Sequence, residues 1–82
     1  MLYPLTFKGP LMTWDTIQGN WPHLTGQAKF RWDMLSGADL RSVAGDRGEL
    51  SARIQERYGV SPEEAHAQVQ NWEDSAHSSW LY

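Results

Sequence analysis

The run RIQERYGVSPEE, residues 53–64, closes one helix and opens another within a dozen positions, a punctuation that suits helical packing and no sheet. Ile54 and Tyr58 continue a stripe that begins at Leu50, at the four-residue step that keeps side chains on one helical face. Gly59 supplies a left-handed stop, because a residue without Cβ adopts positive φ at little steric cost. Ser61 then offers an N-cap. Pro62 suits the first helical position, and Glu63 and Glu64 face the positive end of the new helix.

The same punctuation organises the chain upstream. Thr13 is placed to cap a short helix from Trp14 to Gln18, and Asn20 to cap the next, with Pro22 tolerated in the first turn. Trp21, Leu24, Ala28, Trp32 and Leu35 recur at helical steps, which predicts a second helix reaching Met34 or Leu35. Ser36 with Asp39 resembles a capping box and opens a short helix that holds Leu40, Val43 and Ala44 and ends at Gly45. Asp46 with Glu49 starts the helix of Leu50, Ile54 and Tyr58. Ala65, Val69, Trp72, Ala76 and Trp80 form the last stripe, which extends the last helix well past Trp72. Residues 1–12, broken by Pro4, Gly9 and Pro10, read as an arm, and residues 13–82 as the helical domain. The expected fold is all-α: one small domain of four to five short helices.

A chain of 82 residues has little interior, so its aromatic content matters. Five Trp, three Tyr and two Phe supply the bulk of a core, each removing roughly 150–250 Å² from water when buried. The expected core is Trp21, Leu24, Trp32, Leu50, Ile54, Tyr58, Val69 and Trp72, with Trp14 and Trp80 as further anchors. Cysteine is absent, which removes disulfides, thiolate metal sites and thiol nucleophiles. Seven basic residues against ten acidic give a net charge of −3, without the basic surplus of a nucleic-acid module. No apolar run approaches the ~20 residues of a membrane span, and no leader-type cleavage pattern follows Met1. These features predict a soluble, cytoplasmic protein with no membrane association.

The candidate chemistry is thin. His66, Glu73 and His77 fall within roughly 40° of one another on the last predicted helix. His66 and Glu73 are two turns apart, too far for one ion to bridge, so the trio reads as a solvated flank. Arg53 and Arg57 share a face, but Glu49 and Glu56 beside them make that face mixed in sign. Arg47 shares a face with Leu50, Ile54 and Tyr58 and reads as a structural ion pair with its stem packed on the core. No glycine-framed nucleophile and no phosphate loop occurs. The residues therefore imply no catalytic group, no metal site and no cofactor.

Several motifs in order carry a family resemblance: WDTIQGNW (Trp14 to Trp21), Gly26, Lys29, Trp32, Leu35, AGDRGEL (Ala44 to Leu50), IQERYG (Ile54 to Gly59), Ser61-Pro62-Glu63-Glu64 and VQNWE (Val69 to Glu73). From Thr13 to Glu73 the chain resembles the CsbD-like, or YjbJ-type, family of small bacterial general stress response proteins. The resemblance implies an array similar to the SAM-domain-like pair of orthogonal helical hairpins, and a bacterial stress-response setting. It brings no catalytic residue. Family members usually begin with Met just before the motif that Trp14-Asp15 opens, and Met12 stands there. Residues 1–11 are therefore either a genuine extension or the product of an upstream start.

A second departure is on the predicted second helix, where relatives tend to carry charge and this chain has Phe30 and Met34. Both fall almost opposite the Trp21, Leu24, Ala28 and Trp32 stripe. Single exposed apolar side chains are common; the alternative is that this pair docks the arm, through Leu5, Phe7 and Leu11, or a second copy or another protein. The function expected is a non-catalytic stress-response activity exerted by protein interaction or protection. The rival is a nucleic-acid-binding helical module.

Overall fold

Caps set the helix boundaries. In a computed structural model that describes residues 12–81, the α-helices are α1 (Trp14–Gly19), α2 (Trp21–Arg31), α3 (Gly37–Val43), α4 (Arg47–Tyr58) and α5 (Pro62–Ser75). A terminal 3₁₀ turn spans Ser78–Leu81. No β-strand occurs among the described residues, and the chain is a small all-α domain. The expected arm lies, up to residue 11, outside the described residues.

Ser36 and Asp39 form the reciprocal box: the Asp39 N–H donates to Ser36 Oγ and the Ser36 N–H to Asp39 Oδ2, both at 3.0 Å. Asp46 accepts from the Glu49 N–H at 2.9 Å, and Ser61 from the Glu64 N–H at 3.1 Å. At the start of α2 the cap differs from expectation. The Asn20 side chain turns back, and its Nδ2 donates to the Thr16 carbonyl at 2.9 Å, closing α1 rather than opening α2.

Two helices are shorter than their stripes suggest. At Trp32 the backbone leaves the helical region (φ −127°, ψ 78°), so α2 stops at Arg31 and does not reach Met34 or Leu35. Lys29 holds this ending, with Nζ donating to the carbonyls of Asp33 (2.7 Å) and Leu35 (2.8 Å). The last helix stops at Ser75, where Ala76 turns extended (φ −64°, ψ 131°) and its carbonyl accepts from the Met12 N–H at 3.3 Å. The chain then folds back so that the terminal 3₁₀ turn packs on α2. Met12 is itself buried.

Neighbouring helices in sequence pack as neighbours in space. Their shared interior centres on Trp72, whose ring lies 5.5 Å from Trp32, 5.6 Å from Trp80, 6.1 Å from Trp14 and 6.2 Å from Trp21. Tilted and edge-on arrangements of this kind suit the ring quadrupoles. Polar edges are matched too: the indole N–H of Trp14 donates to the Gly45 carbonyl (2.9 Å), that of Trp21 to the Leu40 carbonyl (2.8 Å) and that of Trp32 to Gln68 Oε1 (2.8 Å). Leu24, Leu50, Ile54 and Val69 are fully buried around the cluster, together with Ile17 and Leu35; Tyr58, Trp14 and Trp80 pack against it half-buried.

Candidate interaction surface

Because α2 ends at Arg31, Phe30 and Met34 do not stand on one helix. Phe30 occupies the last turn of α2, and Met34 the turn that follows. The expected second stripe is thus half helix and half turn. That turn is well anchored: the Met34 N–H donates to Tyr58 Oη at 3.0 Å, and the Tyr58 hydroxyl donates to Asp33 Oδ1 at 3.3 Å. Its backbone is tied to the end of α4 while its side chain points outward. Phe30 is 89 % exposed and Met34 56 %. They are the exposed large apolar side chains among the described residues, since the others are at least partly covered. A phenylalanine left in water forgoes roughly 4 kcal/mol, taking ~150 Å² at about 25 cal/mol per Å². Leu5, Phe7 and Leu11, one suggested cover, lie outside the described residues.

The charged residues are mostly committed inside the domain. Arg47, on the first turn of α4, pairs with Glu73 of α5, donates from Nη2 to Gln70 Oε1 at 2.8 Å, and lies 5.6 Å over the Trp14 ring. Arg53 lies 3.0 Å from Glu56 and 3.8 Å from Glu49. Arg31 sits 5.2 Å over the Trp32 ring. Arg57 does not share a solvated patch with Arg53: it turns to α3 and meets Asp39. The Arg57 hydrogen bond and the Ser36 N–H hold the Asp39 carboxyl well below the usual carboxylate range, and Asp39 in turn raises Arg57.

Sequence reasoning missed the Asp39–Arg57 pair. Helical periodicity orders residues within one element, and this contact joins two. The clue available was Asp39 itself, an acid with one oxygen engaged by a capping box and another free to take a partner.

Among the described residues the flank of His66, Glu73 and His77 does not stay together. With α5 ending at Ser75, His77 leaves the face that carries His66 and Glu73, and Glu73 is already paired with Arg47. Among the described residues no group of three or more His, Asp or Glu side chains is placed to hold a metal ion. No helix among them is long and apolar enough to cross a membrane. What the arrangement offers chemically is two exposed apolar side chains, one at the end of α2 and one on the hydrogen-bonded turn after it, on a domain whose ionic groups largely satisfy one another.

Comparison with known proteins gives a consistent set of relatives. The chain is 42 % identical over 69 residues to a UPF0337 protein of Pectobacterium atrosepticum, a match that takes in 84 % of this chain and all of that protein. It is 35 % identical over 69 residues to the UPF0337 protein YjbJ of Escherichia coli K12, again 84 % of this chain and the whole relative. A UPF0337 protein of Pseudomonas aeruginosa is 41 % identical over 63 residues, 77 % of this chain and 97 % of its own. No family model matches the chain, and no solved structure matches it.

Proposed function

This chain belongs to the UPF0337, or CsbD-like, family, and we propose that it is a non-catalytic stress-response protein of the cytoplasm that works through contacts with other proteins. The stress setting rests on the CsbD-like resemblance. The observation that carries the interaction reading is the exposure of Phe30, on the last turn of α2, and of Met34, on the following turn that Tyr58 and Lys29 tie down. Rigid mounting lowers the entropy lost on association, so a small apolar pair there contributes more to binding than the same residues on a loose loop.

Nucleic-acid binding is the weaker reading. Backbone recognition needs cations free to replace counterions. Here Lys29, Arg31, Arg47, Arg53 and Arg57 already have carbonyl, aromatic or carboxylate partners, which leaves Arg41 alone among the described Lys and Arg residues to meet a phosphate.

The test is crosslinking in stressed and unstressed cells, followed by mass spectrometry, of the natural protein and a Phe30→Glu, Met34→Glu double variant. A protein linked under stress and lost in the variant supports the reading; self-links lost in the variant make that partner a second copy. Links that ignore the variant, or that arise only on nucleic acid, overturn it.

A further inference from the structure

Between α2 and α3 runs a valley floored in part by the core residues Trp21 and Leu40 and separate from the Phe30 surface. It has two adjoining hollows, of about 270 and 460 Å³, that share Thr25 and Arg41. The α2 wall is Trp21, Pro22, Thr25, Gly26 and Lys29, and Gln18 of α1 closes the end of the larger hollow. The α3 wall is Gly37, Leu40 and Arg41, continued by the C-cap residue Ala44. Pro22, Thr25, Gly26 and Lys29 on one side and Gly37, Leu40, Arg41 and Ala44 on the other each follow i, i+3, i+4, i+7, the row one helix offers to another packed alongside it. Seven residues of wall at 1.5 Å each give a length of about 10 Å, or two turns of a third helix.

The wall is open where a partner would need it. At Gly26 an added Cβ meets nothing within 4 Å. Gly26 also stands one turn before Phe30 on α2.

Charge identifies the occupant. Arg41 lines both hollows, is exposed, and among the described cations is the one with no hydrogen bond, ion pair or ring contact. Lys29, opposite, spends its ammonium on the Asp33 and Leu35 carbonyls of the turn after α2. An unpartnered guanidinium beside a mostly apolar trough complements a carboxylate next to apolar side chains. We infer that the α2–α3 valley receives a two-turn amphipathic helical segment of a partner protein, whose apolar side chains fill the trough and whose Asp or Glu pairs with Arg41. This inference rests on the reading of the chain as a protein-binding module and names the chemistry of the partner.

The experiment places a photo-reactive benzoylphenylalanine at position 26 in one strain and at position 30 in another, in otherwise full-length chains, and crosslinks in stressed cells. Each is repeated with Arg41→Gln and with Arg41→Lys, after circular dichroism has checked that the helices persist. The expected result is a link from position 26 to a partner segment with an acidic residue within one turn of apolar ones. Its yield should fall about tenfold in Arg41→Gln, as for loss of a charge-assisted contact, and largely return in Arg41→Lys. Links from position 26 that ignore Arg41, or that fall on a segment without a carboxylate, on lipid or on nucleic acid, overturn the inference. Links from position 30 without any from position 26 also overturn it while leaving the interaction reading intact. No links from either position remove both.

Discussion

Arg57 grips Asp39 through two parallel hydrogen bonds, Nε to Oδ2 and Nη2 to Oδ1, each 2.9 Å long. Asp39 is buried, 6 % exposed, and one of its oxygens also closes the cap of α3. One carboxylate thus accepts the amide of the N-cap residue Ser36 and ties α3 to the last turn of α4.

Acid should therefore loosen the domain through this group. The Asp39 carboxyl titrates below its value in the unfolded chain, where an Asp has a pKa of about 3.9. A depressed pKa means that the unfolded chain takes up the proton first, so this stabilisation is complete above about pH 4 and fades as pH falls below it. Urea midpoints measured from pH 7 to pH 2 should hold their value through this group down to about pH 4 and then decline. Asp39→Asn should start lower at pH 7 and decline less. An Asp39→Asn chain that keeps the entire acid-dependent loss of the natural protein would show that the pair does not govern it.

Trp32 gives the core its most demanding test. Its ring is fully buried against Trp72, and its N–H reaches Gln68 on α5. Trp32→Ala should cost about 3–5 kcal/mol in urea unfolding, the usual range for removing a large buried aromatic. A cost under ~1 kcal/mol would mean that the cavity collapses freely or that the ring is not held in the interior. Trp32→Phe keeps most of the volume and should remain folded, which allows the loss of the Gln68 contact to be read separately.

Much of the fold was legible because caps and stripes are local. Ser36, Asp46 and Ser61 accept the hydrogen bonds that their positions imply, and Gly59 takes the left-handed conformation at the end of α4. Helix ends without a glycine were not legible in the same way. The stripe through Trp32 and Leu35 continues past Arg31, yet the backbone turns there, and the turn is held by Lys29 on the Asp33 and Leu35 carbonyls, a contact that helical periodicity does not reveal. Ala76 and Trp80 likewise keep an apolar phase after the helix has ended, since an extended turn and a 3₁₀ turn return them to the same core. Phe30 was visible as an unpaired apolar position. The α2–α3 valley was not, because it depends on how two helices lie against each other.

The turn after α3 offers a test in which adjacent residues respond oppositely. Ala44 holds the left-handed conformation at φ 50°, and Gly45 follows at φ 81°. A Cβ on Gly45 would meet the Gln18 Cα at 3.1 Å and the Gln18 carbonyl oxygen at 3.2 Å. The Gly45 carbonyl also receives the Trp14 indole. Gly45→Ala should therefore cost about 1–3 kcal/mol, from positive φ and from crowding of α1. Ala44 is exposed and bears only the φ penalty, so Ala44→Gly should gain up to about 1 kcal/mol, reduced by the added freedom of the unfolded chain. Thermal and urea unfolding of the two single variants checks the opposite signs; a destabilising Ala44→Gly would mean that the turn is not strained at that residue.

Phe30 and Met34 should separate stability from binding. Their side chains face water, whereas the backbone of that turn is held by Lys29 and Tyr58. Charged replacements there break no buried contact, so Phe30→Glu with Met34→Glu should change unfolding free energy by no more than about 0.5 kcal/mol. Tyr58→Phe, by contrast, removes a hydroxyl that both accepts from Met34 and donates to Asp33, and should cost about 1 kcal/mol while leaving the apolar pair in place. Urea unfolding of both variants decides the matter. If the double variant loses several kcal/mol, the pair is covered in the folded chain, and its substitution can no longer be read as the removal of a binding surface.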